Sequence, residues 1–148
     1  MKFLIKKTLA LALLIMMPLI SCSSDDSPSS NSQLASQVQS QAVNGNWRVT
    51  LFNEDGVNKT SLFEGFNFVF TADGTVSATN NTDLVSGTWI TGVDDSTPKF
   101  ILLFAVNSGP FEEISEDWRI LSVSSTKMEF RHVSGGDGSI DLLTFTKN

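Results

Sequence analysis

The stretch FNFVFTADGTVSAT, residues 66–79, decides the fold of this chain. Its aromatic residues stand at every second position, Phe66, Phe68 and Phe70, so they share one face of a β-strand. The dipeptide Asp73-Gly74 that follows is a strong signal for a tight hairpin turn. The pattern therefore predicts two antiparallel strands, one on each side of that turn.

Six further runs of apolar residues flank this hairpin at intervals of roughly ten residues, without a long helical pattern between them. The eight predicted strands are Asn46–Phe52, Phe66–Thr71, Thr75–Thr79, Gly87–Thr91, Lys99–Val106, Trp118–Val123, Lys127–His132 and Ile140–Thr146. This spacing is typical of an antiparallel meander. Because an open meander would leave two long edges unpaired, we expect an all-β domain over residues 43–148 that closes into a small barrel.

Two segments of this domain depart from simple alternation. The run Lys99–Val106 is apolar on both faces, so something must cover its outer side. Residues 108–116 favour a helical turn, because Pro110 suits a first helical position. Glu112 and Glu113 would lie in its first turn, where carboxylates suit the helix dipole.

Five motifs follow one another along the domain. They are Gly45-Asn46-Trp47, the run Phe66 to Gly74, Gly87-Thr88-Trp89, Trp118-Arg119-Ile120 and Leu143-Thr144-Phe145-Thr146-Lys147. In this order the chain resembles a set of uncharacterised lipocalin-like lipoproteins of Bacteroidetes, and its opening Gly-x-Trp resembles the start of the lipocalin fold. The resemblance implies an eight-stranded barrel with Trp47 plugging one end, and no activity to carry over. About 105 residues is short for such a barrel, so its cavity is expected to be small or filled.

The N-terminus has the three parts of a lipoprotein signal peptide. Three lysines precede residues 8–20, an apolar run too short to span a membrane, for which about 20 residues are needed. Leu19-Ile20-Ser21-Cys22 then matches a lipobox, and Cys22 is the only cysteine. We therefore expect residues 1–21 to be removed and Cys22 to carry the lipid, which would attach the protein to a membrane without spanning it.

Residues 22–42 are predicted to form a flexible linker, since their Ser- and Gln-rich sequence offers little apolar surface to bury. Within it, residues 33–43 could form a turn or two of helix. Ser23-Ser24-Asp25-Asp26 resembles the acidic export tag of Bacteroidetes surface lipoproteins. Two locations stay open: the cell surface, on the outer leaflet of the outer membrane, or the periplasmic face.

The charge of the mature chain limits its partners. Without the three signal-peptide lysines, seven basic residues face sixteen acidic ones, a net charge of −9. This balance argues against nucleic acid, which needs clustered Lys and Arg, and against docking on anionic lipid headgroups.

The sequence predicts no enzymatic activity, no cofactor and no metal site. His132 is the only histidine, and the mature domain has no free cysteine to pair with it, which excludes the usual zinc and Cys–His sites. The carboxylate pairs Glu112-Glu113 and Glu116-Asp117 are explained by helix capping and solvation. The loops at Asp94-Asp95 and at residues 135–138 lack the spacing of a calcium loop.

Eight aromatic residues are candidates either for the barrel core or for the lining of an apolar ligand cavity. They are Trp47, Phe66, Phe68, Phe70, Trp89, Phe100, Phe104 and Trp118. The favoured hypothesis is a non-catalytic binding module for a small apolar ligand or a partner. The alternative is a structural or accessory envelope protein with a solid barrel. Interior volume separates them, since a ligand cavity needs roughly 300 Å³ or more.

One further modification is suggested by a short motif. Asp95-Ser96-Thr97 matches the pattern used for O-glycosylation in Bacteroidetes, with Ser96 as the acceptor.

Overall fold

The computed structural model describes residues 30–148, which form an eight-stranded antiparallel barrel closed at both ends by short helices. The elements are α1 (Ser30–Ala42), β1 (Asn46–Glu54), β2 (Val57–Asn58), a 3-10 helix (Thr60–Phe63), β3 (Asn67–Phe70), β4 (Thr75–Thr79), β5 (Leu84–Asp94), β6 (Thr97–Phe104), α2 (Pro110–Glu113), β7 (Asp117–Val123), β8 (Lys127–Val133) and β9 (Ile140–Lys147). The two-residue β2 pairs only with β1 and stands outside the barrel.

Pairing between the first and last strands closes the sheet. Strands β3 to β9 follow one another in chain order, and β1 pairs with β9 from Trp47 opposite Lys147 to Asn53 opposite Leu142. On its other side β1 pairs with β3 through Asn46 and Trp47. The all-β fold, its eight barrel strands and its meander order are therefore confirmed, including the β3–β4 hairpin around Asp73-Gly74.

The part of the predicted linker that the structure describes is helical, and it includes most of residues 33–43, where a turn or two of helix was expected. Residues 30–42 form the helix α1, whose buried residues Ala35, Val38 and Ala42 join the barrel core. Composition alone indicates disorder here, but the helix needs only this narrow stripe because the barrel supplies the apolar partner surface. Residues 1–29, with the predicted signal peptide and Cys22, lie outside the described residues.

Three hydrogen bonds join α1 to this end of the barrel, one of them from the Thr91 hydroxyl to the Gln39 side-chain oxygen (2.8 Å). The Asn31 side-chain amide donates to the Ser96 carbonyl (2.6 Å), and the Trp47 indole N–H donates to the carbonyl of Ala42 (2.9 Å). Gly45, between α1 and β1, has a φ of +117°, a conformation that side-chain-bearing residues rarely adopt. The glycine of Gly-x-Trp therefore lets the chain turn from the helix into the barrel.

The opposite end is closed by the 3-10 helix and α2. Phe63 and Phe111 are buried there, with ring centroids 5.5 Å apart in an edge-on arrangement. Pro110 occupies the first position of α2, so the helical turn predicted over residues 108–116 is present in shortened form. The hydroxyl of Ser115 links this end to the barrel by accepting from the Phe104 N–H at 2.8 Å.

Candidate functional site

The aromatic residues considered for a ligand cavity pack against one another inside the barrel. Seven of the eight are buried, and Phe66 is half-buried just before β3, against Phe111 at 5.0 Å. Ring centroids inside the barrel lie close together, at 4.6 Å for the stacked pair Phe100 and Phe130 and 5.5 Å for Phe70 and Trp89. These contacts fill the barrel with edge-on and stacked rings.

The polar atoms of these aromatics are also satisfied. The indole N–H groups of Trp89 and Trp118 donate to the carbonyls of Thr71 (3.1 Å) and Ile114 (3.0 Å). In five surface depressions of about 210 to 500 Å³ among the described residues, Trp89 and Phe104 are the members of the aromatic set that contribute to the lining, in each case as one wall of an open groove. Seven of the eight aromatic residues are therefore part of the core of the domain, and Phe66 packs against it.

The outer surface of β5 and β6 carries apolar side chains that nothing in residues 30–148 covers. Ile90 stands opposite Ile101, and Thr88 stands opposite Leu103, so the four share the outer face. Ile90 is 61% exposed, Ile101 44% and Leu103 58%. We call Ile90, Ile101 and Leu103 the β5–β6 patch. The sequence pattern signalled it, because the β6 run is apolar on both faces.

Two grooves border the β5–β6 patch. One of about 500 Å³ runs from Gly87 and Thr88 across Leu103 to Asn107, and one of about 210 Å³ joins Ile90 and Ile101 to Lys99 and Asp117. The surface is thus apolar in the middle and polar at its margin, an arrangement found in protein–protein interfaces.

A row of cationic side chains crosses the neighbouring strands. Lys99 on β6 stands opposite Arg119 on β7, and Arg119 stands opposite Arg131 on β8. We call these three residues the cationic row. It borders a depression of about 330 Å³ that Thr97, Asp117, His132 and Val133 complete. Sequence reasoning missed this row, because its members lie 12 to 32 positions apart and only the strand register brings them into line.

His132 lies at the edge of this depression. Its ring packs edge-on against Trp118 at 5.9 Å, and its Nδ1 lies 3.3 Å from the Asp117 carbonyl oxygen. Its Nε2 is 3.9 Å from a carboxylate oxygen of Glu116. These contacts make it a packed rim residue of the depression.

Several carboxylates in or next to the segments considered as catalytic or ion-binding sites are engaged in local structure. Glu113 forms an ion pair with Lys59 at 3.0 Å. Asp137 accepts the Ser139 N–H at 3.0 Å, and this hydrogen bond lowers the pKa of the Asp137 carboxyl. Asp141, which is buried, accepts the N–H of Asp55 at 2.9 Å. Among residues 30–148, no group of three or more His, Cys, Asp or Glu is placed to hold a metal.

Ser96, the predicted glycan acceptor, is exposed at the tip of the β5–β6 hairpin. Asp95 and Ser96 have φ angles of +44° and +60°, the two positive values of a tight hairpin turn. The site is therefore accessible, and its glycosylation stays a prediction.

Comparison with known proteins gives a fold and no activity. One solved structure similar to this chain is a DUF4847 family protein from Bacteroides vulgatus ATCC 8482. It shares 18% sequence identity, with a TM-score of 0.52, over 75% of this chain and 97% of that chain. This likeness shows a shared fold alone. No protein-family model matches the chain, and no curated protein matches it. In the part of the chain that is described, no helix is long and apolar enough to cross a membrane.

Proposed function

We propose that this protein is an envelope lipoprotein, anchored through a lipid on Cys22, whose barrel is a non-catalytic module that binds a protein partner on its outer surface. The observation that carries the proposal is the contrast between the two faces of the sheet. Aromatic rings fill the interior, whereas Ile90, Ile101 and Leu103 remain exposed on the outside. A small apolar ligand inside the barrel finds no support in this packing.

The composition of the outer surface favours a protein as the partner. A hydrophobic centre with hydrogen-bonding groups and charges around it is the usual anatomy of a protein interface. Here Thr88 lies within the apolar face, and the ion pair of Lys99 with Asp117, 2.5 Å between Nζ and Oδ1, stands at its margin. Exposed apolar clusters of this kind on small domains commonly mark interaction sites.

Site-specific photo-crosslinking in cells tests the proposal. With p-benzoyl-phenylalanine in place of Leu103, we expect a discrete covalent adduct that mass spectrometry identifies as one protein. The matched control places the same residue at Leu62, which is 47% exposed on the 3-10 helix at one end of the barrel. Adding Ile101→Gln, which is polar and brings no charge opposite Asp117, to the protein that carries the crosslinker at position 103 should remove the adduct. The melting temperature should stay nearly unchanged, because position 101 faces solvent.

The alternative function is that of a structural or accessory envelope protein, and the solid barrel core is the observation that favours it. The same experiment separates the two. Equal labelling from positions 62 and 103, or no adduct from position 103, would contradict the binding proposal and leave the accessory one.

The anchoring half of the proposal rests on the lipobox. We expect Cys22→Ser to move the protein from the membrane fraction to the aqueous fraction and to abolish incorporation of labelled palmitate, because serine offers no thiol for the thioether. Ser24→Ala, two residues further on, is the matched control and should remain membrane-bound. Palmitate incorporation into Cys22→Ser would refute the assignment of Cys22.

A further inference from the structure

We propose that the depression beside the cationic row is a binding site for a phosphate monoester group. The register places Lys99, Arg119 and Arg131 side by side on three consecutive strands. They are three of the seven basic residues of a mature chain that carries a net charge of −9. Like charges directly opposite one another destabilise a sheet, so this alignment calls for a compensating anion.

The carboxylates near the row are already engaged. Asp117 is bound to Lys99 at 2.5 Å. Glu129, two residues from Arg131 on β8, pairs with Lys127 at 2.8 Å and accepts a short hydrogen bond from Ser122. Lys127 and then Ser122 lower the pKa of the Glu129 carboxyl, which keeps it ionised and bound where it is.

The two guanidinium groups are left without such partners. Within residues 30–148, neither Arg119 nor Arg131 makes a salt bridge or a side-chain hydrogen bond. Arg119 is exposed and Arg131 half-buried, so both are within reach of a ligand from solvent. Guanidinium groups bind phosphate through paired, charge-assisted hydrogen bonds. Two neighbouring guanidinium groups on a rigid sheet are well suited to this.

Charge and size select the ligand class. Among the residues that line the depression, three cations and the one carboxylate of Asp117 leave an excess of two positive charges, while Glu116 lies outside the lining, 3.9 Å from His132 Nε2. This excess matches a phosphate monoester, at about −1.5 to −2 near pH 7, better than a single carboxylate. The depression of about 330 Å³ is larger than a phosphate group. The remaining space is bordered by Thr97 and His132. Their polar atoms can hydrogen-bond the hydroxyl groups of a sugar-sized group that carries the phosphate.

Amide NMR titration of residues 22–148 carrying Cys22→Ser, the mature chain without its lipid, tests the site. Glucose 6-phosphate is expected to shift the resonances of residues 99, 119 and 131 saturably, while glucose and potassium chloride at matched ionic strength do not. Arg119→Gln and Arg131→Gln should each weaken binding about tenfold or more, because each removes a charge-assisted pair of hydrogen bonds. Arg48→Gln is the matched control, an exposed arginine on β1 bound only to Asn148 at 3.3 Å.

A second readout separates binding from a structural role. Without ligand and at low salt, Arg119→Gln should melt at a higher temperature than wild type, because it relieves the repulsion from Arg131.

Binding to phosphatidylcholine vesicles with and without phosphatidic acid identifies the source of the phosphate. Binding of glucose 6-phosphate alone assigns a free or glycan-borne ester, and binding of phosphatidic acid vesicles assigns a lipid headgroup.

Two results would overturn the proposal: no response to either phosphate probe beyond that to chloride, or full binding retained by Arg119→Gln and Arg131→Gln. The titration is made on the purified chain without a protein partner, and it measures binding at the cationic row and not at the β5–β6 patch. Failure to crosslink a protein partner at Leu103 would therefore leave this site standing.

Discussion

Trp47→Ala is expected to lower the free energy of unfolding by about 3–5 kcal/mol, the usual cost of truncating a large buried aromatic. Trp47 is fully buried at the end of the barrel where β1, β9 and α1 meet. The Lys147 ammonium lies over its ring, 5.7 Å from the ring centroid, and its indole N–H donates a hydrogen bond to the Ala42 carbonyl. The substitution removes core volume, a cation–π contact and the link to the helix together.

The melting temperature should fall by roughly ten degrees or more, since 1 kcal/mol corresponds to about 4–8 °C for a domain of 60–100 residues. Thermal and urea unfolding measure the loss, and hydrogen exchange should show α1 losing protection first. Arg48→Ala, the next residue along β1, points outward and should change little. Equal effects at positions 47 and 48 would mean that the faces of β1 are misassigned.

Gly87→Ala is the second substitution with a large expected effect. A Cβ at position 87 would lie 2.3 Å from the Leu103 carbonyl oxygen and 2.8 Å from the Phe104 Cα. Both obstacles are backbone atoms of β6, so the strand pair itself must move apart to admit one methyl group. We expect a loss of about 1–3 kcal/mol or more, as for overpacked cores.

Gly92→Ala is a close control, because it lies on the same strand and a Cβ there would meet nothing within 4 Å. It should leave stability nearly unchanged. Chemical unfolding of both variants, with the slope compared to wild type, measures the difference. A Gly87→Ala protein as stable as Gly92→Ala would show that β5 and β6 do not approach this closely.

The barrel could be predicted because its signals are local. Phe68 and Phe70 alternate along a strand, Asp73-Gly74 sets the turn, and these facts are contained in ten consecutive residues. The strand β5, by contrast, is 11 residues long where the pattern predicts only Gly87–Thr91. Its outer positions mix Thr, Ser and exposed Leu84, which blurs alternation, and β6 fixes its length by pairing from Asp94 to Gly87.

The sequence predicts a turn or two of helix over residues 33–43, but the docking of α1 on the barrel and the cationic row could not be predicted, because each depends on distant parts of the chain. Ala35, Val38 and Ala42 form too narrow a stripe to indicate a docked helix until the barrel end is in place. Arg119 and Arg131 become neighbours only through the β7–β8 register, which a bulge between Ile120 and Ser122 shifts. A sequence pattern does not indicate such a shift.

The docking of α1 also shortens the segment between the proposed lipid anchor and the folded domain. With Cys22 acylated as proposed, eight peptide steps, and not twenty-one, join the lipid to the first residue of the folded domain. Fully extended, they span less than about 30 Å, against about 75 Å for a linker reaching Val43. The volume that the barrel can explore falls more than tenfold, and the local concentration of membrane-held partners rises accordingly. A protein so tethered meets what lies in its own membrane far more often than what lies beyond it.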